Sequence, residues 1–149
     1  MKTHKTWREK LEKEQEREIV DDPKGRGKML IPRPLDVDAL MRQVEEGKLV
    51  TVDQIRERLA KRHGATIGCP ITTGIFANVA AHVAEEDAAE GKKDITPYWR
   101  TLKVGGVLNE KYPGGVEAQA ARLKEEGHII EARGKKVWVK NFEKALVEV

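Results

Sequence analysis

The stretch Thr96–Gly115, "TPYWRTLKVGGVLNEKYPGG", constrains this chain more than any other. A proline leads Tyr98, Trp99 and Arg100; Gly105-Gly106, Asn109 and Gly114-Gly115 then follow before a helical pattern begins. Glycine lets other groups approach the backbone closely, and large rings need a surface to pack or stack on. A plain strand-turn-helix link requires neither. The segment therefore reads as a shaped loop, and the rest of the chain has to explain what it is shaped around.

Upstream, the apolar spacing is helical. "PRPLDVDALMRQVEEG" puts Val37, Leu40, Met41 and Val44 at i, i+3, i+4 and i+7, with Gly47 as the stop. "LVTVDQIRERLAKRHG" follows, where Thr51 and Gln54 are spaced as a capping box and Ile55 and Leu59 face inward. After the loop "ATIGCP", a further helix is expected from "ITTGIFANVAAHVAEE", with Thr72 or Thr73 as N-cap. Its buried side is expected to be Ile75, Phe76, Val79 and Val83, and its outward side Thr73, Asn78 and His82. Two helices joined by a glycine-containing turn, the second with a polar face, suggest a helix-turn-helix. Helical hairpins without any DNA role share this pattern.

The last third supplies a second element. "GVEAQAARLKEEG" is a helix with Val116, Ala120 and Leu123 on one stripe and a glycine stop. "HIIEARGKKVWVKNF" reads as a β-hairpin with Arg133-Gly134 at its turn and Val137 and Val139 alternating inward. Arg133, Lys135, Lys136 and Lys140 make it basic. A basic hairpin after a helix-turn-helix resembles the wing of a winged helix, whose tip lies along phosphates. The plainer reading is an edge hairpin kept from aggregating by its lysines.

Composition bounds these readings. The 149 residues suffice for one domain, or one domain with an appendage. Lys and Arg number 28 against 25 Asp and Glu, a net charge of +3, so a nucleic-acid reading has to rest on a local basic face. A single Cys excludes an internal disulfide framework and a Cys-only metal site. No apolar run is long enough for a membrane helix, and the N-terminus is charged, so a soluble cytoplasmic protein is expected. Residues 1–28 read as a charged arm and linker. There Thr6-Trp7-Arg8-Glu9 fits a capping box; Trp7, Leu11 and Ile19 share a helix face; and "DDPKGRGK" links to the domain of residues 29–149. The arm is either a solvated helix or a basic element that touches a polyanion.

"VTVDQI", the helix after "GCPITTG", "PYWRTLKVGGVLNEKYPGG" and "EEG" occur in the order of the DNA-binding domain of the O6-alkylguanine-DNA alkyltransferases. The resemblance runs from about residue 32 to 130. Its specific parts are Pro97 and Arg100, which match the family's Pro-x-x-Arg, and the Gly-Gly loop leading to a helix that ends in Glu126-Gly127. The nucleophilic Cys position, however, is Tyr98, and the position of the His beside it is Trp99. Alkyl transfer to protein needs a thiolate beside a base, and a phenol with an ordinary pKa of about 10 is a poor substitute. Glu126 matches the family's His-orienting Glu, with no His to orient. Cys69 lies before the recognition helix and reads as a small buried hydrophobe.

The resemblance is thus to an alkyltransferase-like protein, one that would bind a modified base without repairing it. The fold it implies is mainly α with a small β component: a winged-helix-like helix-turn-helix domain with a C-terminal basic hairpin and an N-terminal charged helix. A base pocket would be walled by Tyr98, Trp99, Asn109 and Tyr112. The DNA-facing set would be Thr51, Gln54, Thr72, Thr73, Asn78, Arg133, Lys135 and Lys136. No catalytic residue, metal or cofactor is implied; the expected partners are duplex DNA and other repair proteins, bound by a monomer. Val52 stands where the family has a Tyr that helps turn the target phosphate. No Arg between Ile71 and Glu86 matches the one that intercalates, leaving Phe76, Asn78 or His82 to fill the gap. The insertion "EEDAAEGKKD" also lengthens the link to the Pro97 segment. Two other readings stay open. One is a glycosylase or lyase using Lys103, Glu110 or Lys111. The other is a plain winged-helix regulator.

Overall fold

The structure, a computed structural model, describes residues 6–149. Helices dominate it, with three small sheets. In chain order the elements are α1 (Trp7–Glu12), β1 (Glu18–Asp21), β2 (Lys28–Ile31), α2 (Pro34–Arg42), β3 (Val50–Thr51) and α3 (Val52–Arg62). They continue with β4 (Ile67–Gly68), α4 (Pro70–Ala89), β5 (Thr101–Leu102), α5 (Gly115–Glu125), β6 (Ile130–Arg133) and β7 (Lys136–Val139). No helix among the described residues is long and apolar enough to cross a membrane.

The helices begin where local chemistry places them. Thr6 accepts a hydrogen bond from the Glu9 backbone N–H and starts α1. At α3 the Thr51 backbone N–H donates to Gln54 Oε1 at 2.9 Å, closing the expected capping box. Helix α2 is shorter than its apolar stripe suggests, ending at Arg42, yet Val44 beyond it is still buried. The "DDPKGRGK" stretch is no linker. It is the turn of a hairpin in which β1 and β2 pair antiparallel from Glu18 with Ile31 to Asp21 with Lys28. Asp22 explains the tight turn: its carboxylate accepts from the Lys24 and Arg26 backbone N–H groups and from the Arg26 guanidinium. Ile19, expected on a helix face with Trp7 and Leu11, lies in β1 and is 50% exposed.

Strand β4 pairs parallel with β2, so the loop between α3 and α4 is bolted to the β1–β2 hairpin. Strands β3 and β5 pair parallel and join the start of α3 to the Pro97–Leu102 segment. The core lies between α2, α3 and α4, with Leu30, Val37, Leu40, Met41, Ile55 and Leu102 fully buried. Each such side chain stabilises the fold by about 1.5–3 kcal/mol through area removed from water. Helix α4 packs on α2 and buries Ala77, Ala80, Ala81 and Ala84, small side chains that permit close approach of neighbouring helices.

Two glycines show opposite constraints. A Cβ on Gly68 would lie 2.7 Å from the Arg56 carbonyl oxygen, so β4 can pass α3 only without a side chain. A Cβ on Gly74, inside α4, would meet nothing within 4 Å. Gly68→Ala is expected to lower stability by roughly 1–3 kcal/mol through overpacking. Gly74→Ala is expected to raise it by about 0.5–1 kcal/mol, since glycine in a helix interior is the poorer helix former. Thermal denaturation of the two variants checks both signs.

Candidate nucleic-acid interface

The Pro97–Tyr112 segment is built around its own rings. Tyr98 packs edge-on against Trp99 and Tyr112, with centroids 5.3 and 5.2 Å away. All three side chains are buried, at 1, 8 and 2% exposure. Their polar atoms are also satisfied. The Tyr98 hydroxyl donates to Glu85 at 2.6 Å, the Tyr112 hydroxyl to the Thr101 carbonyl at 3.1 Å, and the Trp99 indole N–H to Glu126 at 2.9 Å. The pocket expected around these rings is therefore filled by them: three of its four walls are core. Asn109, the fourth, borders an open groove instead.

Glu126 is the centre of this arrangement. Its carboxylate accepts from Arg100 Nε and Nη2, from the Trp99 indole and from the Gly47 backbone N–H. Arg100 reaches on to the Val44 carbonyl at 2.7 Å. Burial pushes the Glu126 carboxyl up, but the hydrogen bonds from Arg100, Trp99 and Gly47 outweigh it and hold it below its ordinary range. Burial, reinforced by the neighbouring Glu85 carboxylate, pushes the Tyr98 phenol well above its ordinary value, so it stays protonated at neutral pH. Cys69 is buried as the N-cap of α4, its sulfur accepting from the Thr72 hydroxyl at 3.0 Å and the Thr72 backbone N–H at 3.5 Å. Thr72 and Thr73 are thus not the cap.

The groove beside Asn109 encloses about 980 Å³. One wall is the first half of α4, with Ile71, Gly74, Ile75 and Asn78 at i, i+3, i+4 and i+7. The facing wall is Lys103–Lys111, including Val104, Val107 and Glu110. Val52 and Arg56 of α3 also line it, Lys136 enters from β7, and Trp7 and Lys10 from α1. Three of the six large hydrophobics exposed among the described residues border it: Ile71 at 74%, Val104 at 64% and Ile75 at 55%. Around that apolar surface stand Lys10, Arg56, Lys103, Lys111 and Lys136 against one carboxylate, Glu110, which Lys103 binds at 3.1 Å. The groove is an apolar cleft with a cationic rim.

The face read from the sequence of α4 holds in part: Val79 and Val83 are buried as expected, and Asn78 faces the groove. Thr73, expected outward, is 1% exposed and its hydroxyl donates to the Cys69 carbonyl at 2.7 Å. Ile75, expected inward, is exposed, while Phe76 is half-buried against the core. His82 is covered by Trp7, their rings stacked 4.1 Å apart at 11°. Asn78 does reach the groove, and its Oδ1 is buried with no partner among the described residues. Alanines share the core with Val79 and Val83 because small side chains allow close helix approach, which hydrophobic periodicity does not register.

The remaining candidates divide sharply. Thr51 is buried and Gln54 Nε2 donates to the Val147 carbonyl at 3.0 Å, so both serve the start of α3. Arg133, Lys135 and Lys136 are exposed on the β6–β7 hairpin, where Arg133 pairs with Lys136 and the turn is Gly134-Lys135. Val107 bridges to Trp138, and the Leu108 N–H donates to the Val137 carbonyl at 2.9 Å, fixing the hairpin to the groove's loop wall. Sequence reasoning missed Ile71, Val104, Arg56, Trp7 and Lys10 as groove residues. Their residue types gave no signal, since isoleucine and valine read as core and Lys10 and Arg56 as a solvated helix face. Among the described residues no cluster of His, Cys, Asp and Glu could hold a metal ion.

A pH test isolates the Glu126 centre. Because its folded pKa is depressed, its stabilisation is present above the unfolded value of about 4.3 and is lost as pH falls through the folded one. Glu126→Gln leaves a largely buried Arg100 without its counter-charge and is expected to cost about 3 kcal/mol at pH 7. The gap between wild type and variant should begin to narrow as pH falls below the unfolded value of about 4.3 and continue to narrow as it passes through the depressed folded one. Denaturant melts across pH 3–8 measure it.

No protein-family model matches the chain, and no curated protein is similar to it in sequence. Two solved structures are similar in fold. One is Atl1 of S. pombe in complex with damaged DNA containing O6-carboxymethylguanine, the other ATL of S. pombe in complex with DNA. Each is 19% identical, with a TM-score of 0.55, over 78% of this chain and 94% of the other. The likeness establishes a shared fold.

Proposed function

We propose that this protein binds duplex DNA along the groove between α4 and Lys103–Lys111, and recognises altered bases there as an alkyltransferase-like protein that transfers no alkyl group. The observation that carries the reading is the groove itself: exposed isoleucines and valine ringed by five cations and one neutralised carboxylate. Phosphates account for the cations, but they give Ile71, Ile75 and Val104 nothing to bind. Base faces do. The shared fold with a protein crystallised on damaged DNA points the same way.

The rest of the chain supports a division of labour. Arg133, Lys135 and Lys136 form a wing along phosphates, as the sequence-derived DNA set requires. On α4 no Arg is available to intercalate; Ile71 and Ile75 stand exposed at the groove lip, and apolar side chains of this kind wedge between base steps. Gly74 between them has no packing reason within the molecule, and an open Cα lets a sugar-phosphate strand come close. A displaced base would meet Val107 and Asn109 rather than the buried rings. Tyr98, protonated and bound to Glu85, is no nucleophile, so the complex marks the altered base and other repair proteins complete the work. A lyase needs a desolvated amine. Lys103 and Lys111 instead lie on the open rim, Lys103 in a salt bridge.

The test is paired binding to matched duplexes carrying guanine or O6-methylguanine, with mass spectrometry of the protein and a strand-product gel. Tighter binding to the altered duplex, no methyl adduct and no strand product are expected. Ile75→Ala should cost roughly tenfold on the altered duplex and little on the control, since each lost stacking-type contact is worth about 1–3 kcal/mol. Lys135→Glu with Lys136→Glu should weaken both duplexes alike and flatten the salt slope by about two. Gly74→Ala should bind worse while melting higher. Equal affinity for both duplexes would leave a plain DNA-binding module, a methyl adduct would refute the absence of transfer, and a strand product would favour a glycosylase or lyase.

A further inference from the structure

Helix α1 has only six residues, too few to be stable alone in water. Three anchors hold it on α4. Leu11 is buried in the core at 4% exposure, the Arg8 guanidinium pairs with Asp87, and the Trp7 ring lies flat on His82. Leu11 and the Arg8–Asp87 pair are sufficient to dock a short helix. Trp7 adds something else: its stack reaches across the end of the groove, because His82 Nε2 lies 3.3 Å from the Lys111 carbonyl on the opposite wall. Trp7, His82 and Lys111 thus bridge α1, α4 and the loop after β5.

The same ring positions a charge. Lys10 lies over Trp7, its ammonium 4.6 Å from the ring centroid, and both residues line the groove. Among the described residues Lys10 pairs with no carboxylate, although Glu9, Glu12 and Glu14 are close in sequence. Arg8 takes Glu12 and Asp87, and neither Glu9 nor Glu14 is drawn to Lys10, which stays over the Trp7 ring. An unpaired ammonium held over an indole at the mouth of a cationic cleft is placed for an anion from outside.

We propose that α1 is part of the DNA-binding surface: Trp7 closes the end of the groove and braces the Lys111 loop through His82, and Lys10 binds a phosphate of the strand that runs past α4. This rests on the duplex-binding reading above and extends its footprint to the N-terminal segment, which sequence left undecided between a solvated helix and a basic arm.

The experiment compares Lys10→Glu with Lys24→Glu, a lysine in the β1–β2 turn away from the groove, in the full chain. Affinity for an unmodified duplex is measured from about 50 to 200 mM salt, where each phosphate contact contributes about 0.9 to the slope. Lys10→Glu should reduce the slope by about one, and Lys24→Glu should leave it unchanged. Trp7→Phe, which keeps a ring on His82, should retain the wild-type slope. Trp7→Ala should lose it and speed amide exchange over Asn109–Tyr112 without DNA. Wild-type slope in Lys10→Glu, or the same loss in Lys24→Glu, overturns the proposal while the duplex reading stands. Unaltered exchange at Asn109–Tyr112 in Trp7→Ala overturns the brace. Absence of any duplex binding by the wild type removes the duplex reading, and this proposal with it.

Discussion

The buried Glu126 carboxylate is the point on which the rest of the structure hangs. It draws the end of α5, the turn after α2 at Gly47 and the Trp99-Arg100 segment to one place. A buried carboxylate is tolerated only when its lone pairs are met, and here four donors meet them. Because Arg100 also donates to the Val44 carbonyl, the Pro97–Leu102 segment cannot slide along the core. Its fixed register pairs β5 with β3, and β3 runs directly into the cap of α3. The position of α3 in the groove therefore depends on an ion pair that does not itself line the groove.

The three buried rings make the same point from the other direction. Tyr98 is too large and too well bonded to be presented to a ligand. Its hydroxyl holds Glu85, which also takes Arg122, and Arg122 lies 4.3 Å over Trp99. The Trp99 indole N–H donates to Glu126, so the phenol and indole at positions 98 and 99 form a packed centre beside the groove.

How far the sequence carried this depends on which physical signal each element uses. Caps and periodic stripes were legible: Thr6, Thr51 and the Val37-Leu40-Met41 stripe all lie as their spacing requires. The β6–β7 hairpin was legible from alternation. The face of α4 was legible in part: Val79 and Val83 are buried as expected, but Ile75 is exposed and four alanines are buried, because alanine carries little hydrophobic contrast. The hairpin around "DDPKGRGK" was not: Asp22 builds that turn with contacts that only the folded chain creates. In the 98–112 loop the residue types were informative but their direction was not, since a ring that stacks on a ligand and a ring that fills a core look alike in one dimension.

That reversal on α4 is itself evidence about function. A helix could bury Ile71 and Ile75 and expose alanines at no cost in propensity, for alanine is the better helix former. Exposing two isoleucines forgoes about 1.5–3 kcal/mol each of available burial, and Gly74 between them forgoes roughly another 0.5–1 kcal/mol. Nothing among the described residues recovers these terms: a Cβ at Gly74 would meet no neighbour, and the isoleucines line open space. Local departures from stability of this kind gather where a surface serves something outside the fold. The apolar lip is balanced by a cationic rim, which argues against a purely apolar partner such as a second helix. It favours one that offers phosphates on its outside and flat apolar faces within, and a base-paired duplex offers both.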